Sequence, residues 1–305
     1  MKNLWKTTAK EKQLQFKNCL NLTESGTFKN IPYQHILSDK DAGLGANFYC
    51  YNNAAEWQEL QSWADEEKGK KIEFLGTGLK NMLRSEHIPY NLFFPLEKLR
   101  KSDPKLLSTF LEQLFDNNIS IDEVLQIKIE FASNIDKSHL LDDLTSFDAY
   151  IEYKNGENLG GLGIEVKYTE QSYAYGKTEY KRMAGLQKGE YLPLTARCEY
   201  YKPNTVEKLV SKKLKQAWRN HLLGIKLVET DKCELQQFHS VHLYPEGNTY
   251  QTEVCDQYAT CLSDDYKNTF MPITFEKFIE VAESVLGTNK YIKSIDWIAY
   301  LKNRY

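Results

Sequence analysis

The segment 146–168 constrains the fold of this chain more than any other. Its two halves flank Asn155-Gly156, a pair whose tolerance of positive φ favours a hairpin turn. Side chains alternate between the faces of a strand, so Glu165 and Lys167 should share one face of the second strand. Asp148 lies on the first strand, where the hairpin would bring it close to Glu165. The segment therefore predicts that two carboxylates and one ammonium group converge on an otherwise apolar sheet.

The periodicity around this hairpin predicts the order of the elements. Residues 119–133 alternate as a strand does, residues 206–228 read as a long helix without an internal proline, and residues 235–248 read as a further strand. Three strands joined by short turns form an antiparallel meander, and the long helix lets a fourth strand return into the same sheet. The order helix, three strands, helix, strand predicts an α/β sandwich with a mixed central sheet as the core, over residues 101–250.

The regions on either side of this core are predicted to be helical. Residues 1–100 are expected to form a mainly helical N-terminal region packed on the core, with an aromatic loop at 88–96. Residues 251–305 are expected to form a C-terminal helical extension. Apolar spacing predicts helices over 53–67, 74–87, 104–116, 273–285 and 293–303.

The composition is that of an ordered protein. Its 305 residues include 39 basic and 42 acidic side chains, and 41% of them are hydrophobic, which excludes a disordered chain. No stretch approaches the roughly 18 to 20 apolar residues that a membrane helix needs. The charged N-terminus has no apolar core like that of a signal peptide. We therefore expect a cytoplasmic protein with no membrane partner, whose six scattered cysteines are reduced thiols.

The predicted proximity of Asp148 and Glu165 favours a metal site. Two carboxylates held together repel, and one of them would tend to take up a proton. A divalent cation removes this conflict, and Mg²⁺ needs only one or two carboxylates beside water and phosphate oxygens. Lys167 would then orient the attacking hydroxide or neutralise charge that develops on a phosphate. The alternative is a solvated strand with an ordinary Glu/Lys alternation, which the apolar flanking positions disfavour.

Asp148 followed by Glu165-Val166-Lys167 resembles the catalytic signature of the PD-(D/E)XK nuclease superfamily, and the order of elements is similar to the core of that superfamily. The stretches 145–149, 163–170 and 216–223 further resemble its restriction-endonuclease-like branch. The resemblance implies an Mg²⁺-dependent DNA endonuclease, with Mn²⁺ able to substitute, that acts in restriction-like defence. It also implies that Asp148, Glu165 and the backbone carbonyl of Val166 hold the metal, and that Lys167 is the catalytic lysine.

Two features depart from the pattern of the superfamily. Phe147 precedes the aspartate where the signature has proline, a variation that the superfamily tolerates. Many relatives also carry a glutamate on the first core helix. Glu86, in a weaker matching block over 84–93, is one candidate for that role and Glu130 on the first strand is another. A site with neither glutamate is the third alternative.

The predicted helix 206–228 carries a polar stripe. Gln216, Arg219 and Asn220 are spaced i, i+3 and i+4, so they share one helix face. If this face lies near the Glu165 strand, its side chains would hydrogen-bond the scissile phosphate or the attacking water. We expect Gln216 to act in catalysis and Arg219 and Asn220 to support it. The alternative is a solvated polar face.

The same region is locally basic. Between residues 202 and 226 there are seven basic side chains and one acidic side chain, although the whole chain has a net charge of −3. Lys212, Lys213 and Lys215 are therefore predicted to contact DNA. A homodimer would let two sites reach two strands. A catalytically inactive nucleic-acid-binding module and a protein-interaction module of the same fold are the alternative functions.

Overall fold

The computed structural model describes residues 4–51, 53–68, 72–73, 76–131, 135–287 and 294–305. Three predicted elements extend beyond these ranges. Residues 74–75 of the predicted helix 74–87, residues 132–133 of the predicted strand 119–133 and residue 293 of the predicted helix 293–303 lie outside the described residues.

Helices precede, interrupt and follow the strands of the described chain. The α-helices are α1 (Leu4–Cys19), α2 (Asp39–Gly43), α3 (Ala54–Lys68), α4 (Thr77–Lys80), α5 (Ile88–Ser102), α6 (Pro104–Leu114), α7 (Lys177–Met183), α8 (Tyr191–Arg197), α9 (Val206–Leu209), α10 (Lys215–Glu229), α11 (Thr249–Ala259), α12 (Phe275–Leu286) and α13 (Ser294–Arg304). The strands are β1 (Gly26–Phe28), β2 (Ile31–Tyr33), β3 (Glu123–Phe131), β4 (Phe147–Asn155), β5 (Asn158–Val166), β6 (Leu235–Tyr244) and β7 (Phe270–Thr274). Short 3-10 helices cover Lys137–His139 and Asp264–Thr269.

The central sheet of the described residues has the strand order β3-β4-β5-β6-β7. β3, β4 and β5 are antiparallel, while β6 and β7 continue the sheet in parallel with β5. The predicted order of helix, three strands, helix and strand is therefore confirmed. The hairpin turn lies one residue later than predicted, because Asn155 pairs with Asn158 and leaves Gly156, at a φ of 61°, and Glu157 as the turn.

Helices cover both faces of this sheet, which makes the fold an α/β sandwich. α5 and α6 pack on β3 and α12 packs on β7 over one apolar core. α10 packs on β5 and β6 over a second core, to which α8 and α11 add buried side chains. All six cysteines are free, as predicted. Among the described residues, none of the helices combines the length and the apolar character needed to span a bilayer.

The predicted aromatic loop at 88–96 was wrong, because these residues form the first half of α5. The segment contains two prolines, which weaken a helix locally. However, Pro89 occupies the first turn of the helix, where an N–H has no intrahelical partner to lose. Pro95 lies inside the helix, where the burial of Leu92, Phe93 and Leu96 outweighs the lost hydrogen bond. The predicted helix 74–87 is also shorter, since only α4 forms within the described part of it.

The predicted single helix over 206–228 was wrong as well. The structure divides it into α9 and α10. Ser211 explains the break, since its Oγ accepts a hydrogen bond from the backbone N–H of Leu214 (3.3 Å) and its carbonyl accepts one from Lys215 (3.0 Å). Serine offers the backbone such an alternative to a continuous helix and so starts a new one. The polar stripe thus belongs to α10 alone.

The region 251–305 contains a strand besides its helices. β7 was not predicted, and it adds a fifth strand to the sheet beside β6. Its sequence, FMPIT, is short and includes Pro272. A proline is tolerated in a strand at the edge of a sheet, where one side makes no ladder hydrogen bonds.

Gly224 on α10 allows the helix to pack closely on β6. A Cβ at this position would lie 1.9 Å from Cε1 of the buried Phe238 ring. We expect Gly224→Ala to lower the free energy of unfolding by about 2 kcal/mol, because overpacking forces the ring or the helix to move. At Gly189 a Cβ would meet nothing closer than 3.5 Å, so Gly189→Ala is the matched control. Urea denaturation measures both, and equal stabilities of the two variants would contradict this packing.

Candidate active site

Asp148 and Glu165 lie side by side at one end of the β4–β5 pair. Ala149 pairs with Ile164 in the antiparallel register, so the next residues outward are Asp148 on β4 and Glu165 on β5. Asp148 Oδ2 accepts a hydrogen bond from the backbone N–H of Val166 (2.7 Å). The structure therefore brings together the two carboxylates that the hairpin predicted.

The alternation of β5 places the acidic and basic groups on one face. Ile164 and Val166 are buried in the core beneath α5. Glu165 and Lys167 point to the opposite face, where Lys167 Nζ donates to Glu165 Oε1. Glu165 is only 4% exposed and Lys167 only 9%. This ion pair is thus buried between the sheet and α10.

Two side chains of α10 complete the surroundings of Glu165. Gln216 Nε2 donates to Glu165 Oε1, and Asn220 Nδ2 donates to Glu165 Oε2. The i and i+4 spacing directs both amides toward β5. Together with Lys167, they provide three donors for a carboxylate that offers about four acceptor positions. The orientation of Glu165 is therefore fixed, and one acceptor position is left for a further partner.

Burial and neighbouring charges shift the pKa values of Asp148 and Lys167. Burial, followed by the negative charge of Glu165, raises the pKa of Asp148 to about 8. Burial lowers the pKa of Lys167, but the charges of Glu165 and Asp148 outweigh this effect and hold it above its ordinary value. At neutral pH the lysine is therefore charged, while burial and the charge of Glu165 favour the protonated form of Asp148.

These groups fit a hard divalent cation. Among the described residues, no group of three or more His, Cys, Asp or Glu side chains is arranged to hold a metal. Mg²⁺ and Mn²⁺ need fewer protein ligands, because water and phosphate oxygens complete their shells. A cation beside Asp148 would relieve its repulsion with Glu165 and displace its proton. The two carboxylates and the carbonyl of Val166 are the donors available.

Arg219 pairs with Glu179, whereas the helix spacing suggested that it would join Gln216 and Asn220 near Glu165. Its Nη1 lies 3.2 Å from Glu179 Oε1 on α7. Lys215 is buried and pairs with the same carboxylate, its Nζ 3.1 Å from both oxygens. The Lys215 ammonium also lies 3.5 Å from the centre of the Tyr173 ring. Arg219, which was expected to support catalysis, and Lys215, which was predicted to contact DNA, are therefore both engaged by Glu179. The sequence did not indicate this acidic partner.

The remaining predicted lysines lie nearer to solvent. Lys212 is exposed, and Lys213 Nζ pairs with Glu253 Oε2 at 2.7 Å on the surface of α11. Both line a small cavity that also touches Lys167 and Gln216. A basic surface therefore extends from the buried ion pair to the solvent.

The two candidate glutamates occupy different places. Glu86 lies in the turn before α5, where Arg84 Nη2 donates to its Oε1 (2.6 Å). Glu130 lies on β3 between the pairs Ile129–Ala149 and Phe131–Phe147, hence opposite Asp148. Its φ of 46° marks a local irregularity of the strand. The register thus brings Glu130 to Asp148, whereas Glu86 is engaged by Arg84.

Glu170 was missed by the sequence reasoning. Its Oε2 accepts the backbone N–H of Tyr168 (2.9 Å), and its Oε1 accepts that of Ser85 (2.7 Å). The negative charge of Glu170 raises the pKa of both Asp148 and Lys167. Glu170 thus fixes the chain directly after the strand end and joins it to the turn before α5. Two sequence signals were present: an acidic residue three positions beyond Lys167, and its place at the end of the matching stretch 163–170.

Comparisons with known proteins give one match. A family model described as the PD-(D/E)XK nuclease superfamily matches residues 2–305. A search of curated proteins and a search of solved structures found no match. The family match covers the strands and helix of the site as well as the flanking regions, and it confirms the predicted superfamily and fold class.

Proposed function

This chain belongs to the PD-(D/E)XK nuclease superfamily, and on that premise we propose that it is a metal-dependent endonuclease that hydrolyses phosphodiester bonds of DNA. The observation that carries the proposal is the convergence of Asp148, Glu165 and Lys167 at one strand end. A buried lysine between two carboxylates is costly for the fold. A catalytic role explains why such an arrangement is kept.

Each polar group has a role in this proposal. Asp148, Glu165 and the Val166 carbonyl would hold Mg²⁺, or Mn²⁺ in its place, and the ion would polarise the phosphate and acidify a water molecule. Lys167 carries its charge at the position where negative charge develops on the phosphate. Gln216 and Asn220 hold Glu165 in one orientation by their amide donors. Lys212 and Lys213 would contact the DNA backbone.

We further propose restriction-like defence as the biological role, with the cytoplasm as the compartment and a homodimer as the working assembly. The resemblance of residues 145–149 and 163–170 to restriction-endonuclease-like proteins supports the role. Free cysteines are typical of a reducing compartment. Two copies of one active site are the simplest means of cutting both strands of a duplex.

Cleavage assays test the activity. Purified protein is incubated with supercoiled DNA, linear DNA and RNA in Mg²⁺, and in parallel with EDTA. We expect DNA to be cut only in the presence of the metal. DNA binding without cleavage in Mg²⁺ or Mn²⁺ would favour an inactive binding module. Cleavage of RNA alone would contradict the proposed substrate.

Glu179 should limit the affinity for DNA, because its carboxylate pairs with Arg219 and Lys215. We expect Glu179→Gln to raise the affinity severalfold and to steepen its salt dependence by up to about one released counterion, because Arg219 is the more exposed of the two partners. The matched control is Glu283→Gln, which frees Lys302 on the opposite side of the sheet. Fluorescence anisotropy over a range of salt concentrations measures both. An unchanged or lower affinity of Glu179→Gln would show that its partners do not face DNA.

A further inference from the structure

A second cavity opens beside the candidate active site. It measures about 400 Å³, and it lies between the β1–β2 hairpin with the residues that follow it and the segment of α4 and the turn before α5. The β1–β2 side contributes three rings and one aliphatic side chain, while the other side contributes an amide, a guanidinium group and the carboxylate that pairs with this guanidinium. These side chains are Phe28, Tyr33, His35, Ile36, Asn81, Arg84 and Glu86.

Hydrogen bonds join the wall of this cavity to the chain that leaves β5. Ser85 N–H donates to Glu170 Oε1 (2.7 Å), and Arg84 Nε lies 3.6 Å from the same oxygen. Thr169 Oγ1 donates to the carbonyl of Leu83 (2.8 Å). Glu170 is three residues from Lys167, a stretch that spans at most about 10 Å. The cavity therefore lies within a few nucleotide lengths of the proposed catalytic lysine.

The lining of the cavity combines flat apolar surfaces with polar groups. The rings of Tyr33 and His35 lie 5.6 Å apart and are tilted, and the Phe28 ring is 43% exposed. Asn81 is held in place by the backbone N–H of Leu83, which donates to its Oδ1 (3.0 Å). Aromatic faces beside an amide and a guanidinium group form the combination that stacks on a base and hydrogen-bonds its edge.

Charges of both signs lie at the cavity, since Glu86 pairs with Arg84 in its wall and three lysines lie near His35. Burial lowers the pKa of His35, and the nearby ammonium groups of Lys10, Lys6 and Lys17 lower it further. The imidazole is therefore neutral at physiological pH and can stack as a flat ring. The same three lysines give this side of the molecule a positive potential.

We propose that this cavity binds one unpaired nucleobase of the nucleic acid substrate, a few nucleotides from the scissile phosphate. The inference rests on the proposed function and adds a site of substrate recognition to it. A cavity of about 400 Å³ is in the usual range for small-ligand sites and can hold a base with its sugar. A base everted from a duplex, or one from a single strand, would stack on Phe28 and Tyr33 and meet Asn81 and the Arg84–Glu86 pair at its edge.

The hairpin that carries Phe28 supplies a matched control. Phe28 pairs directly with Ile31 across the two-residue turn, and both side chains are exposed, at 43% and 54%. Phe28 lines the cavity, whereas Ile31 is not part of its lining. Replacement of either exposed side chain by alanine should leave the fold intact. The two variants therefore separate the cavity from the general apolar character of the hairpin.

The test measures binding in EDTA, so that no cleavage occurs. A labelled perfect duplex is compared by anisotropy with the same duplex carrying one mismatch, because a mismatched base is the easier one to evert. We expect wild type to bind the mismatched duplex more tightly. Phe28→Ala should weaken this binding about tenfold, as loss of one stacked base does. Ile31→Ala should change it less than about twofold, and Phe28→Trp should retain it.

Two results would overturn the inference. One is equal binding of the mismatched duplex by Phe28→Ala and wild type, and the other is an equal loss in Phe28→Ala and Ile31→Ala. Cleavage assays in Mg²⁺ separate this failure from failure of the proposed function. If the protein cuts DNA but Phe28→Ala does not change its binding to the mismatched duplex, the base site is absent and the proposed function stands. If the protein prefers the mismatched duplex but does not cut DNA, the base site is present and the proposed function fails.

Discussion

Replacement of Lys167 by alanine is expected to lower the rate of DNA cleavage by at least about a hundredfold. The loss of one charged donor at a developing negative charge typically costs this much or more. Lys167 is buried and donates to Glu165 Oε1, so a neighbouring side chain cannot easily take its place. DNA binding should change little, because a single buried ammonium contributes little to contacts with the DNA backbone.

The control for Lys167→Ala is a lysine in an exposed ion pair far from the site. Lys277 on α12 pairs with Asp116 (Nζ to Oδ2, 2.6 Å), on the other side of the sheet. Lys277→Ala should cleave at the wild-type rate. Thermal unfolding of both variants shows whether the fold is retained. A folded Lys167→Ala protein that cleaves within about threefold of wild type would contradict the catalytic role.

The second large effect is expected at Asp148. Asp148→Asn should lose metal-dependent cleavage by at least about a hundredfold, because an amide oxygen is a poorer ligand for Mg²⁺ than a carboxylate. Kinetics at increasing Mg²⁺ or Mn²⁺ measure the effect, which should appear first as a higher metal requirement. Wild-type metal dependence in this variant would exclude Asp148 as a ligand.

The pKa of Asp148 gives this prediction two further signatures. Since that pKa is raised to about 8, the metal must displace a proton at neutral pH. The apparent metal affinity of the wild type should therefore rise as the pH increases toward 8, and this rise should be absent in Asp148→Asn.

A carboxyl whose folded pKa is raised also destabilises the fold above its unfolded pKa. Asp148→Asn should thus unfold no more easily than the wild type at pH 7, while Lys167→Ala should unfold more easily.

The sequence predicted the parts of the fold that depend on local periodicity. The strands around Ile127, Ile151 and Ile164 were visible from alternation, and the Asn-Gly pair marked the hairpin within one residue. Alternation also assigned Glu165 and Lys167 to one face, because the side-chain period of a strand is two. The central pair of carboxylates followed from these two facts alone.

Elements that depend on tertiary packing were missed or misread. The first part of α5 was taken as an aromatic loop. Its prolines weaken a helix locally, and its burial against β3 and α6 compensates for them. β7 has five residues and a proline, and it is a strand only because β6 offers a free edge. Neither the burial of α5 nor the free edge of β6 can be read from a local sequence pattern.

The partners of the polar side chains were predictable only in part. The i and i+4 spacing correctly placed Gln216 and Asn220 on one face, but it did not reveal that Arg219 and Lys215 would meet Glu179. That contact joins α7 and α10 across more than thirty residues of sequence. The hydrogen bond between Ser85 and Glu170 likewise joins residues that are far apart in the sequence. Contacts of this kind depend on how loops pack, which spacing along the chain does not specify.

The position of the bound metal is the most direct test of the site. Crystals grown with Mn²⁺ should show an anomalous diffraction peak between the carboxylates of Asp148 and Glu165 and the carbonyl of Val166, at about 2.0 to 2.3 Å from their oxygens. The same peak should be absent from crystals of Asp148→Asn. A Mn²⁺ ion bound by other residues, in a protein that cuts DNA, would contradict the account.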